Sequence, residues 1–111
     1  MLVTENFDNL HRVAAKSLHE GDDEVEIKEI HGNAYYMHCS DETQEHSHRL
    51  VKAPCISENL TEVPQCSECN APMKPHCLFF DEVYSEHFYS KDTVLRYVEM
   101  SDCLIIVGTS L

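Results

Sequence analysis

Apolar residues come in short bursts along the chain, and their spacing changes from one segment to the next. Met1-Leu2-Val3-Thr4 is an apolar run ending on a polar residue, as the tail of a buried strand does. Asp8 to Ser17 puts Leu10, Val13 and Ala14 at helical spacing, with Asp8 or Asn9 available as a cap. Gly21-Asp22-Asp23 is a turn. From Val25 to Ile30 apolar and charged residues alternate, which predicts a half-buried strand that delivers His31 at its C-terminal end. Ala34 to Cys39 reads as a further extended segment. Between Ser40 and Pro64 the pattern dissolves into polar and charged residues with two prolines and no period, which predicts an irregular excursion. Cys66-Ser67-Glu68-Cys69 is a tight turn, and His76 to Phe80 reads as a strand. Ser90 to Met100 has Val94, Leu95 and Val98 on one helical face, and Cys103 to Val107 is a continuous apolar strand opening into Gly108-Thr109-Ser110.

A helix feeding a wholly apolar strand that ends in Gly-Thr-Ser is the grammar of a parallel, doubly wound α/β sheet. Ligands of such sheets bind beyond the C-terminal strand ends. Three polar clusters are expected at those ends: Glu5-Asn6-Phe7-Asp8, His31-Gly32 and Gly108-Thr109-Ser110. They predict one shared cleft for a small molecule.

Composition narrows the function classes. The charge balance, 8 − 20 = −12 with histidines neutral, argues against direct nucleic-acid binding, which needs lysine and arginine to displace counterions. No segment approaches the roughly 20 consecutive apolar residues of a membrane span. Met1 to Asn9 lacks the basic-then-apolar pattern of a signal peptide, so a cytosolic or nuclear location is expected. In that setting the six cysteines favour metal ligation or plain burial over disulfides. Cys77 and Cys103 lie in apolar runs and read as small core residues. Tyr84 and Tyr89 read as packing residues.

Taken in order, these clusters resemble the sirtuin (Sir2) family of NAD-dependent protein-lysine deacylases. The resemblance runs through Thr4-Glu5-Asn6-Phe7-Asp8-Asn9-Leu10-His11, Ile30-His31-Gly32, Cys66-Ser67-Glu68-Cys69, Met73-Lys74-Pro75, Phe80-Asp81-Glu82 and Gly108-Thr109-Ser110-Leu111. It implies an incomplete Rossmann-like sheet built from 1–32 and 76–111, with a small zinc-ribbon-like module over 33–75. It further implies that Asn6 and Asp8 line the nicotinamide and ribose pocket with Glu5 beside them. His31 would be the general base, and Gly108, Thr109 and Ser110 would contact the adenosine half of NAD. Cys77, Leu78, Phe79, Phe80, Asp81 and Glu82 would hold the acylated lysine peptide of a protein substrate. Such a reaction expels nicotinamide and needs a base that helps a ribose hydroxyl attack. Imidazole, with an ordinary pKa near 6.5, is suited to that.

A structural zinc is the second implied cofactor. Cys66 and Cys69 keep one Cys-x-x-Cys pair and Cys39 begins the other, but Glu42 stands where its partner belongs. Glu42, His46, His48 or Cys55 are the candidates for the fourth ligand. Other departures are Glu5 for glutamine, Phe7 for isoleucine, Lys74 for arginine, and Asp81 for the glycine of Phe-Gly-Glu. The family's glycine-rich diphosphate loop should precede Met1 and further strands should follow Leu111, so an incomplete cofactor site is expected. Two other functions fit the same residues: a non-catalytic zinc-binding interaction module, and an NAD-consuming hydrolase or ADP-ribosyltransferase. Retention of Asn6, Asp8 and His31 together favours the deacylase over the module.

Overall fold

The computed structural model describes residues 1–18, 25–54 and 62–109. The expected turn at 21–23, together with Cys55 and Ser110, lies outside the described residues.

Strand β1 (Leu2–Thr4) leads into helix α1 (Leu10–Leu18) and then strand β2 (Ile27–Glu29). β1 and β2 pair in parallel, with Thr4 opposite Glu29, and their ladder is extended by the Ile30 amide donating to the Thr4 carbonyl at 3.0 Å. This parallel pair is the α/β element expected from the sequence. Strand β3 (Gly32–Cys39) follows at once and pairs antiparallel with β4 (Val51–Lys52) on one side and β5 (Met73–Cys77) on the other. Helices α2 (Glu86–Tyr89) and α3 (Lys91–Glu99) are the last elements of the described chain. Their junction, Ser90, takes a left-handed conformation with φ of 52°, and Glu86 accepts the Asp92 amide at 2.7 Å, capping α3 from the preceding helix. Among the described residues no helix is long and apolar enough to cross a membrane.

Five expectations need correction. The excursion after Ser40 is not wholly irregular: a 3-10 helix spans Glu45–His48, and β4 pairs with Tyr36 and Met37 of β3. β5 starts three residues earlier than predicted, because its register against β3 decides its limits: Cys39 faces Met73 and His38 faces Lys74. Pro75 is tolerated there because β5 is an edge strand. Cys103 to Val107 is not a strand, and Ile105 is 81% exposed. Cys103 is exposed too, so it is no core residue. A strand is completed by a neighbour's hydrogen bonds, and among the described residues no strand pairs with this run. The predicted apolar stripe of α1 is also uncovered by the described residues, with Val13 56% exposed.

The packed centre is built from histidine and aromatic rings between β3, β5 and α2. His38 is 0% exposed and stacks on Phe88 with centroids 4.5 Å apart. His76 stacks on Tyr89 at 5.5 Å and meets His38 edge-on at 5.4 Å. Neither His38 nitrogen has a hydrogen-bond partner, nor has His76 Nδ1. Burial, helped by the Lys74 ammonium, pushes His38 down to about 4, and burial lowers His76 as well. Folding therefore favours the neutral form of both rings, and His38 stays neutral down to about 4, while the unfolded chain takes up protons near the ordinary 6.5. The unfolded state then binds more protons between pH 6.5 and about 4, so stability should fall as pH drops through that window. His38 alone accounts for a loss of up to about 3 kcal/mol. Urea titrations across this range should show it, and His38→Phe should flatten the dependence. An unchanged slope in that variant would remove His38 as the cause.

Gly32 shows why the corner between β2 and β3 is tight. Its φ is 83°, and a Cβ there would overlap the backbone carbonyl oxygen of His76 on β5. Gly32→Ala should therefore destabilise by about 3 kcal/mol, combining left-handed strain with a backbone clash. A denaturant midpoint equal to that of the parent would contradict this.

Candidate functional site

Parallel pairing puts the C-terminal ends of β1 and β2 on one edge, so Glu5 to Asp8 and His31 leave the sheet side by side. The loop is tied to the next strand where the Ala34 amide donates to the Phe7 carbonyl at 2.9 Å. Thr109 reaches the same edge, its hydroxyl 3.3 Å from the Glu5 carboxylate. Glu5 to Asp8, His31 and Thr109 thus share one side, although the run that precedes Gly108 is not a strand and Ser110 lies outside the described residues. Asn6 is exposed, its amide donating to the Thr4 hydroxyl at 3.1 Å. Asp8 accepts the Leu10 amide at 3.0 Å and so caps α1 with one carboxylate oxygen.

Asn33, which the sequence pattern did not mark, holds this edge together. It is buried, and its Nδ2 donates to Asn9 Oδ1 at 2.9 Å and to Glu29 Oε1 at 2.8 Å. Its Oδ1 accepts the Tyr35 amide at 3.0 Å. Glu29 in turn takes Arg12 at 2.8 Å. One satisfied amide therefore joins α1, β2 and β3 on either side of His31.

His31 is half-buried in the turn between β2 and β3. Its carbonyl accepts the Leu78 amide at 3.0 Å, which brings the segment after β5 alongside it. Its Nε2 lies 2.8 Å from the Tyr84 hydroxyl. Tyr84 read as a packing residue in sequence because 53 positions separate the two and no motif joins them. From Cys77 the chain continues into a turn in which the Glu82 carboxylate accepts the Phe79 amide at 3.0 Å and pairs with Lys74. Hydrogen bonds from Lys74 and from the Phe79 amide hold the Glu82 carboxyl below its usual range despite partial burial. Phe79, Phe80 and Asp81 are exposed.

At the far end of β3 lies a separate cluster. Cys39, His46, Cys66 and Cys69 bring one donor atom each to within 4.8 Å of one another. The Cys39 and Cys69 sulfurs are 3.4 Å apart. β3 delivers Cys39, the 3-10 helix delivers His46, and a tight turn closed by the Asn70 amide on the Cys66 carbonyl at 2.9 Å delivers the other two. Burial pushes the Cys39 thiol up to about 11, whereas backbone amides of Cys69 and Glu68 pull Cys66 down to about 7. His46 Nε2 is buried with no hydrogen-bond partner, and its Nδ1 is 3.7 Å from Glu68 Oε2. An unpartnered buried nitrogen beside three thiols, backed by a carboxylate, fits a tetrahedral zinc site of three sulfurs and one imidazole. The four residues could hold one zinc ion. Of the other candidates, Glu42 is held by Lys74 at 2.9 Å and His48 packs on His87 with centroids 4.2 Å apart. Cys55 lies outside the described residues.

The sequence model of the Sir2 family matches residues 1–111. The chain belongs to the Sir2 family. It is 31% identical over 110 residues to an NAD-dependent protein deacylase of Leptospira interrogans serogroup Icterohaemorrhagiae serovar Lai (strain 56601), covering 98% of this chain and 38% of the relative. An NAD-dependent protein deacylase of Thermococcus sibiricus is 29% identical over 111 residues, with 98% of this chain and 39% of the relative covered. This Sir2-family chain thus spans less than two fifths of the length of these relatives. Among solved structures, a Sir2 homolog–NAD complex superposes with a TM-score of 0.65 at 22% identity, over 91% of this chain and 33% of that one. Sir2Tm bound to a propionylated peptide gives 0.57 at 22% identity, over 88% and 35%. These likenesses establish the α/β fold of the family.

Proposed function

We propose that the protein carrying this chain removes acyl groups from protein lysine side chains in an NAD-dependent reaction, with His31 as general base. The observation that carries the reading is the placement of His31: it leaves the parallel-strand edge beside Glu5 to Asp8, and its backbone is bonded to Leu78 in the segment assigned to the peptide. Relatives named as NAD-dependent deacylases support it. NAD, when bound, supplies the ribose carbon that receives the acyl oxygen. The chain's own groups do the rest. Asn6 and the second carboxylate oxygen of Asp8 hold the carboxamide of nicotinamide, a group with two N–H donors that a carboxylate accepts. Thr109, with Ser110, contacts the adenosine side, and Glu5 shares that contact through its bond to Thr109. Residues 77–82 lay the acylated lysine peptide past His31, and the imidazole takes a proton from a ribose hydroxyl. In this reading 33–75 is a zinc-braced module whose role is to hold β3 and β5 together.

The test is product analysis. Full-length protein incubated with NAD and an acetyl-lysine peptide should give nicotinamide, deacetylated peptide and O-acetyl-ADP-ribose by mass spectrometry. Free ADP-ribose without peptide turnover would replace the reading with NAD hydrolysis. No turnover of either compound would indicate an interaction module.

A further inference from the structure

We propose that Tyr84 is a positioning residue for His31, holding the imidazole by Nε2 and leaving Nδ1 as the nitrogen that takes the proton. This rests on the reading of His31 as the base.

The geometry comes from two anchored segments. His31 is fixed through its backbone by the Leu78 amide at 3.0 Å. Tyr84 follows the turn that Glu82 closes on the Phe79 amide at 3.0 Å. Its ring meets Tyr89 edge-on with centroids 6.2 Å apart, and Lys91 Nζ sits 4.4 Å from its centroid. Tyr89 is itself buried, so the phenol is held by packing before it meets the imidazole. The remaining freedom of His31 is rotation of its ring, and the 2.8 Å contact from Nε2 to the Tyr84 hydroxyl removes it.

The contact also divides the labour between the two nitrogens. A neutral imidazole has one N–H and one lone pair, and the hydrogen bond at one nitrogen decides the role of the other. Nε2 is taken by Tyr84, whereas no hydrogen bond from a described residue reaches Nδ1. A base needs an accessible lone pair, which assigns the lone pair to Nδ1 and the proton to Nε2, donated to the Tyr84 oxygen. When Nδ1 accepts the substrate proton the ring becomes an imidazolium, and the bond from Nε2 to Tyr84 becomes charge-assisted and stronger. The gain appears only as the ring charges, so it favours the step over the bound ground state.

Tyr84→Phe keeps the ring against Tyr89 and Lys91 and removes only the hydroxyl. In the full-length protein, kcat for deacylation should fall about tenfold, the scale of one hydrogen bond to a charged group, with KM for NAD and peptide within twofold. Nitrogen-15 spectra above the ordinary imidazole range should show the parent His31 protonated at Nε2, its proton slow to exchange with water. In Tyr84→Phe that protection should vanish. A parent ring protonated at Nδ1, unaltered exchange in the variant, or an unaltered kcat would each overturn the proposal. The spectra do not depend on turnover. If His31→Ala stayed active while they came out as expected, the base assignment would fail and the hydrogen bond would stand.

Discussion

Replacing His31 with alanine should lower deacylation by the full-length protein at least about a hundredfold while leaving NAD affinity within about threefold. General-base catalysis contributes roughly a hundred- to ten-thousandfold, and that contribution is lost with the imidazole. The affinity should survive because the fold around the site does not depend on this side chain. The corner is held by backbone bonds, with Ile30 on Thr4 and Leu78 on the His31 carbonyl, and by the Asn33 amide between α1 and β2. All of these remain in the variant. Single-turnover rates and calorimetric titration with NAD would separate the two effects. A variant that keeps near-parental kcat would remove His31 from the mechanism. One that loses NAD binding and activity in parallel would make His31 a binding residue instead.

Zinc accounts for the second large effect. The purified full-length protein should contain one zinc per Cys39–His46–Cys66–Cys69 site, and Cys66→Ser should release it with loss of the packing around the 3-10 helix. Structural zinc contributes apparent binding energies of about 10–16 kcal/mol to small modules, far more than the thin apolar core here supplies. Met37, Cys39 and Cys66 are the buried apolar side chains near that end of β3. His46→Ala should weaken zinc binding at least about tenfold, and Glu68→Ala should weaken it less, since Glu68 reaches only the far nitrogen of the ring. Glu42→Ala and His48→Ala should leave it unchanged, because their side chains are engaged with Lys74 and His87. Competition with a chromophoric chelator would rank the four variants. A zinc-free protein that a chelator does not destabilise would refute the site, and a large effect of Glu42→Ala would reassign the fourth ligand.

The alternation from Val25 to Ile30, the helical spacing after Asp8 and the order of the short motifs were all readable in the chain. Each depends on neighbours within one or two turns of backbone, and side-chain periodicity is a local property of the backbone. They determined that a strand leads into His31, that α1 starts beside Asp8, and that the chain resembles the Sir2 family. The matched sequence model and the parallel pairing of β1 with β2 bear this out. Local pattern misled where an element depends on a distant partner. Cys103 to Val107 is as apolar as a buried strand, yet strand hydrogen bonds are made between segments, and no strand among the described residues pairs with it. β5 likewise took its limits from β3 and not from its own composition.

The chemistry of the two sites divides along the same line. Three thiols with a fourth ligand missing could be counted from the cysteines, but four candidates stood open because spacing alone does not say where a side chain lands. The 3-10 helix at Glu45–His48 brings His46 to the sulfurs, while Lys74 draws Glu42 away. At the His31 edge, Gly32 read only as part of a short motif with His31. The tertiary structure supplies the reason for a glycine there, the close approach of the His76 carbonyl on the neighbouring strand. Asn33 and Tyr84 carried no signal at all, since an amide or a phenol acquires a role only through the groups that the fold sets within about 3 Å of it.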